Sequence, residues 1–386
     1  MIFSSWLEKQ RSPSLMLDGA WCKDMTSVLI PSREKCVKIL REAGEDIQDE
    51  PFSYQRIGEG QGFLSVIYRI VFGDVSYVAK LTAPQQGDGS FPGNSASLQA
   101  NVHDRELATG AVQIRKDPKQ ASNFARIGRF YGGTSCGAED EGIIILQDFS
   151  GHIGKSVDYV KGYEKEQMFD LVDQIVGVQA AYFIAEEKPE FPDRKGLYVA
   201  LATMTASVVN ALPEAEWWTE ERKKTVLSWS NPEYLEKLQV ELQDGEDLPK
   251  TVIHCDAWPN NFLYSNEDAG GKLLAILDWQ CTNIGIGVFD LATPIAVCLT
   301  AEKRRELMFP IIEHYVSGLR TRCDSFANEE GLVGMVYKIL QRVLRYGLLM
   351  TICTKVFNPK ADTPEEGETE GQLTKRIRGL VEDLCP

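Results

Sequence analysis

The stretch 252–292 constrains this chain more than any other. It reads VIHCDAWPNNFLYSNEDAGGKLLAILDWQCTNIGIGVFDLA. A short apolar run at 251–253 leads into His254, Asp256 and Asn261, an H-x-D followed by four residues and an Asn. A hydrophilic, glycine-containing turn at 265–271 follows, and a second apolar run, 273–277, delivers Asp278. Two β-like runs joined by a turn predict a hairpin that gathers two carboxylates and an amide.

Phosphoryl transfer needs such a set. One carboxylate must orient the acceptor hydroxyl and take its proton, while a second carboxylate and an amide oxygen hold Mg²⁺ on the nucleotide phosphates. Asp256 fits the first role; Asn261 and Asp278 fit the second. The spacing parallels the H-R-D-x-x-x-x-N loop of kinases and the metal-binding Asp after their next strand. Here Cys255 stands where that loop has Arg, and the triplet is Asp278-Trp279-Gln280.

The segments HCDAWPNNFLY, DWQ and Asp290-Leu291 resemble the aminoglycoside phosphotransferase and choline kinase superfamily, and within it the ecdysteroid kinase-like group. That group's pattern is roughly H-G-D-x-W-x-x-N, then D-x-Q, then D-L. Cys255 departs from it by placing a side chain where the family has none. The resemblance implies a two-lobed α+β fold of the protein-kinase kind, with an antiparallel N-lobe sheet plus a helix and a mainly helical C-lobe. It implies ATP and Mg²⁺ as cofactors and an alcohol as acceptor. It also makes Asp290 a structural anchor for the catalytic loop, and His254 a support for that loop rather than its base.

Upstream, Gly58, Gly60 and Gly62 punctuate a strand–turn–strand, and glycines let backbone amides approach phosphates. The runs 66–72 and 76–81 are β-rich, and Val78-Ala79-Lys80 is similar to the strand-three lysine site of kinases. A helix is expected over 98–115, where a carboxylate would fix the Lys80 head, and the resemblance implies Glu106 rather than Asp104 as that partner. Short extended runs are expected at 127–131 and 142–146. Gln147 and Phe149 then take the position of the adenine-binding hinge by placement alone.

Apolar positions three and four residues apart predict a long helix over 163–187, with Met168, Leu171, Val172, Ile175 and Val178 in its stripe. Helices are also expected at 32–45, 199–212, within 217–242, and at 302–320, 330–355 and 373–384. The segment 358–372 reads as an acidic loop. These elements suggest an N-terminal helical extension (1–50), an N-lobe (51–148) and a C-lobe (149–386). Trp258, Trp279 and Gln280 flank the candidate base and metal residues and are candidates to wall an acceptor pocket.

The 386 residues suffice for two packed units. A net charge of −15 argues against a nucleic-acid partner, which would call for a basic surface. Nine cysteines without a C-x-x-C pair suggest reduced thiols and a cytoplasmic setting. No apolar run reaches membrane-spanning length. The favoured function is a small-molecule kinase. A nucleotide- or ligand-binding protein of the same fold, inactive or weakly active, and a protein kinase stay open, as do the acceptor and the oligomeric state.

Overall fold

A computed structural model describes residues 29–57, 65–82, 103, 104, 106, 128–137, 140–150, 159–185, 188, 190, 191, 195–240, 248–265, 272–327, 330–357 and 362–385. Gly58, Gly60 and Gly62 lie outside them. The chain forms two compact units, one within Met1–Gly110 and Arg129–Asp148, the other within Ala111–Gly128 and Phe149–Pro386.

In the first unit, helix α1 (Arg33–Glu42) is capped by Ser32, whose hydroxyl accepts the Lys35 N–H at 3.4 Å. Strands β1 (Phe52–Ile57), β2 (Val66–Phe72), β3 (Val75–Thr82), β4 (Phe130–Thr134) and β5 (Gly142–Gln147) form an antiparallel sheet in the order β1-β2-β3-β5-β4. Strict alternation in β2 buries Val66, Tyr68, Ile70 and Phe72. These side chains share a core with Cys36, Ile39 and Leu40 of α1. The extended run expected at 127–131 becomes a strand only from Phe130 and continues through Gly132 and Gly133. A register irregularity after Phe130 and the paired glycines hide it from a propensity reading.

The second unit is mainly helical. Its helices are α2 (Lys165–Ile184), α3 (Lys195–Ala211), α4 (Glu220–Trp229), α5 (Pro232–Val240), α6 (Phe289–Cys298), α7 (Ala301–Arg322), α8 (Leu332–Phe357) and α9 (Gln372–Leu384). Every residue of α6 is buried, as befits a helix apolar on all sides. Helix α8 approaches it closely at Gly347, where a Cβ would stand 2.6 Å from the Ala292 carbonyl oxygen. Any larger residue there would push the two helices apart. The fold class is therefore α+β, with an antiparallel sheet in one unit and a mainly helical second unit, as expected.

One expectation is corrected. The runs 251–253 and 273–277 do not pair with each other. Strand β6 (Thr251–Ile253) pairs with β9 (Asn283–Gly285), while β7 (Phe262–Tyr264) pairs with β8 (Leu273–Ile276). The hairpin is thus β7–β8, and the H-x-D loop leaves one ladder to enter the other. A three-residue strand such as Phe262-Leu263-Tyr264 has too few positions to show a period, so it reads as loop.

Among the described residues no helix is long and apolar enough to cross a membrane.

Candidate active site

Each unit holds its own polar set. In the first, the Lys80 Nζ donates to Glu106 Oε2 at 2.6 Å, and both side chains are buried. Lys80 sits centrally in the sheet, paired with Ile67 on β2 and Ile144 on β5. Glu106 is therefore its partner in place of the rival Asp104. The helical turn that carries Glu106 is held by a residue that sequence reasoning did not single out. His103 Nε2 lies 2.8 Å from the Thr134 carbonyl and Nδ1 lies 3.0 Å from the Thr82 hydroxyl. Burial holds its imidazole below the usual pKa, so the ring is neutral. One nitrogen then donates to the carbonyl and the other accepts the hydroxyl proton. The fit requires Gly142, where a Cβ would stand 2.4 Å from the ring nitrogen.

Gln147 is tied to Arg129 at two points. Its N–H donates to the Arg129 carbonyl at 2.8 Å and its side-chain oxygen accepts the Arg129 N–H at 3.0 Å. That N–H is thus taken by the backbone just ahead of β4. In the second unit, half-buried Phe149 packs its ring over Gly128, so close that a Cβ there would stand 2.9 Å from it.

The second unit holds the H-x-D loop. After β6 the chain passes through His254, Cys255 and Asp256 into a 3₁₀ turn, Pro259–Asn261. Proline opens such a turn readily because its missing N–H would have no partner there. Asn261 is buried, and its Nδ2 donates to the Asp256 carbonyl at 2.8 Å and reaches Asp256 Oδ2 at 3.4 Å. The Leu277 N–H donates to the Asn261 carbonyl at 2.8 Å, which pins the residue before Asp278 to the same turn. Asp278 adopts a left-handed backbone, φ 61°.

His254 ties these pieces together. Its Nδ1 accepts the Asp256 N–H at 3.2 Å, and its Nε2 then donates to the Leu277 carbonyl at 2.8 Å. With both nitrogens occupied, the ring supports the loop and is withdrawn from proton transfer to a ligand. The Trp279 indole lies 4.6 Å from the His254 ring, is buried, and donates to the Ile276 carbonyl at 3.0 Å. Trp279 is therefore removed from the expected acceptor wall: its apolar surface is spent inside the unit. Trp258 stays half-buried with its ring 6.3 Å from that of Tyr159, and Gln280 is half-buried.

Asp290, in the first turn of α6, anchors the loop backbone. One carboxylate oxygen accepts the His254 N–H at 2.8 Å and the other accepts the Cys255 N–H at 2.9 Å. The turn before Asp290 is fixed in its own way. Gln179 Nε2 donates to the Gly287 carbonyl at 2.9 Å, and the Tyr315 hydroxyl donates to Gln179 Oε1 at 2.7 Å. Neither role has a local sequence signal beyond Gln179's place on a buried stripe. Asp290→Asn is expected to cost about 1–3 kcal/mol in denaturant unfolding, because one buried N–H then faces an amide NH₂ instead of an acceptor. An unchanged unfolding midpoint would remove Asp290 as the anchor.

Asp278 and Asn261 offer a carboxylate and an amide oxygen, donors that suit Mg²⁺. Among the described residues no group of three or more His, Cys, Asp and Glu gathers to hold a metal. Mg²⁺ bound with phosphates needs only one or two protein carboxylates, so the donor set fits.

Comparison with known proteins places this site in context. An uncharacterised kinase-like protein of Caenorhabditis elegans is 26% identical over 208 residues, covering 52% of this chain and 53% of the relative. The match thus spans about half of that relative's length. Among solved structures, choline kinase from Cryptosporidium parvum is similar at 12% identity with TM-score 0.49, covering 92% of this chain and 94% of that one. An ethanolamine kinase from Plasmodium vivax is similar at 10% identity with TM-score 0.44, covering 87% and 82%. Across residues 137–327, the stretch that carries Asp256, Asn261, Asp278 and Asp290, this chain matches the ecdysteroid kinase-like family.

Proposed function

We propose that this protein transfers the γ-phosphoryl group of MgATP to a hydroxyl of a small molecule. The observation that carries the reading is the Asp256–Asn261 pair on a loop whose backbone is held by Asp290 and His254. A base that must act at a fixed distance from its acceptor needs such a loop. Asp256 orients the acceptor hydroxyl and takes its proton as the oxygen attacks the γ-phosphorus and the bond to ADP breaks. Bound Mg²⁺ would neutralise charge developing on the phosphates. Asp278 and Asn261 would supply its protein oxygens. Lys80, held by Glu106, is assigned to the phosphates, and the 58–62 loop to covering them.

The acceptor proposed is a neutral or cationic alcohol with substantial apolar surface. Half-buried Trp258, with Tyr159 beside it, offers dispersion and cation–π contact but no charge for an anion. Matched sets of steroid, choline-like, aminoglycoside and sugar-phosphate alcohols, screened for ADP release and phosphorylated product, test the reading. Turnover confined to a sugar phosphate would overturn the acceptor class. In parallel, Asp278→Ala is expected to weaken Mg²⁺-dependent nucleotide binding in calorimetry. Unchanged MgATP affinity with unchanged Mg²⁺ dependence would remove Asp278 as the metal residue.

A further inference from the structure

Cys255 has φ 64°, in the left-handed region that favours glycine, yet it carries a buried side chain. A Cβ in this region crowds the following carbonyl, so a non-glycine residue persists there only where its surroundings hold it. Its peptide bond to Asp256 is held at both ends. The Asp256 N–H donates to His254 Nδ1 at 3.2 Å. The Cys255 carbonyl accepts the Tyr346 hydroxyl at 3.3 Å, a contact from α8 across 91 residues of sequence. Ahead of that peptide, Asp290 accepts the Cys255 N–H at 2.9 Å. Tyr346 is itself buried, its ring 4.7 Å from Phe289, so its hydroxyl is aimed by packing.

We propose that Tyr346 is a positioning residue: its hydroxyl fixes the peptide plane that carries Asp256, and it matters because Cys255 stands at a left-handed position where a glycine would rest without help. The thiol does not let the loop relax by turning outward. It is enclosed, with Sγ 3.8 Å from the Ile253 carbonyl oxygen and 3.9 Å from Gln239 Oε1. A loop that lost the Tyr346 contact would hold this peptide by its N–H side alone, and a tilt of the peptide plane would carry the Asp256 carboxylate with it. A glycine in place of Cys255 would remove the crowding, and with it much of the need for the hydroxyl.

The kinetic arm of the test rests on Asp256 being the base; the exchange arm does not. Tyr346→Phe keeps the ring and removes the hydroxyl. It is measured alone and in a Cys255→Gly background, completing a double-mutant cycle. With Cys255 in place, kcat for MgATP with water as acceptor is expected to fall about 3- to 10-fold at unchanged KM for MgATP, the scale of one lost hydrogen bond. Hydrogen exchange in the peptide spanning 252–262 is expected to quicken by a similar factor. In the Cys255→Gly background both effects are expected to shrink to about twofold or less, since little strain remains to be held. Equal effects in the two backgrounds would overturn the proposal. Should Tyr346→Phe fail to fold, folding of the double variant supports the proposal and its failure overturns it. If no variant hydrolyses MgATP, the exchange arm alone decides the role of Tyr346, and the phosphotransfer reading is decided by the alcohol screen.

Discussion

Asp256→Ala is expected to lower turnover by ~10²–10⁴-fold while leaving MgATP affinity nearly intact, the span usual for losing a positioned general base. The split follows from where the side chain sits. Asp256 is half-buried, and the contacts that shape its loop run mostly through backbone groups: the N–H groups of His254, Cys255 and Asp256 and the carbonyl of Asp256. Truncation to Ala keeps all four. The loop, and the Leu277 peptide that leads to Asp278, should then keep their places, so nucleotide binding survives while proton transfer does not. Turnover like that of the unaltered protein would remove Asp256 from the mechanism. A parallel loss of MgATP affinity and thermal stability would mean that the side chain supports the fold instead of the chemistry.

The second large effect concerns the buried ion pair of the first unit. Removing one partner of such a pair leaves an uncompensated charge out of water, which costs about 3–5 kcal/mol. Glu106→Gln takes the carboxylate away from Lys80, whose side chain is only 8% exposed and whose neighbours on the sheet are apolar, and is expected to lower stability toward that range. Lys80→Met in the same chain removes the buried ammonium as well and should recover most of the lost stability. Denaturant unfolding of the single and double variants compares the two, and a double variant less stable than the single would contradict the account. Nucleotide binding is expected to separate from stability here. The double variant should be well folded yet bind MgATP weakly, because the ammonium proposed to meet the phosphates is gone. Unimpaired MgATP binding by that folded variant would remove Lys80 from the proposed site.

The polar groups of the proposed site are legible in the amino-acid sequence, because the phosphoryl transfer proposed for it needs particular residue types in a fixed order. Asp256, Asn261 and Asp278 stand out at kinase-like spacing, and Asp290 follows from the resemblance. Regular elements are legible where a period has room to show: the alternation of Val66–Phe72 and the helical stripe through Met168, Leu171 and Ile175. Resemblance favours Glu106 over Asp104, and the buried 2.6 Å contact with Lys80 supplies the physical reason.

What tertiary structure decided was partnership across long sequence separations. Three-residue strands carry no usable period, so the pairing of β6 with β9 and of β7 with β8 comes from packing in the second unit. The two tryptophans flanking the candidate base and metal residues look alike in sequence. One is buried against His254 and the other is left half-exposed, a difference set by which side of the loop faces the core. Hydrogen bonds from His103 to Thr134, from Tyr315 to Gln179 and from Tyr346 to Cys255 leave no local trace. Hydrophobic periodicity and motif spacing record what a residue needs from its own element. A buried hydroxyl or imidazole finds its partner only when two distant elements pack and the cost of leaving either group unpaired brings them together.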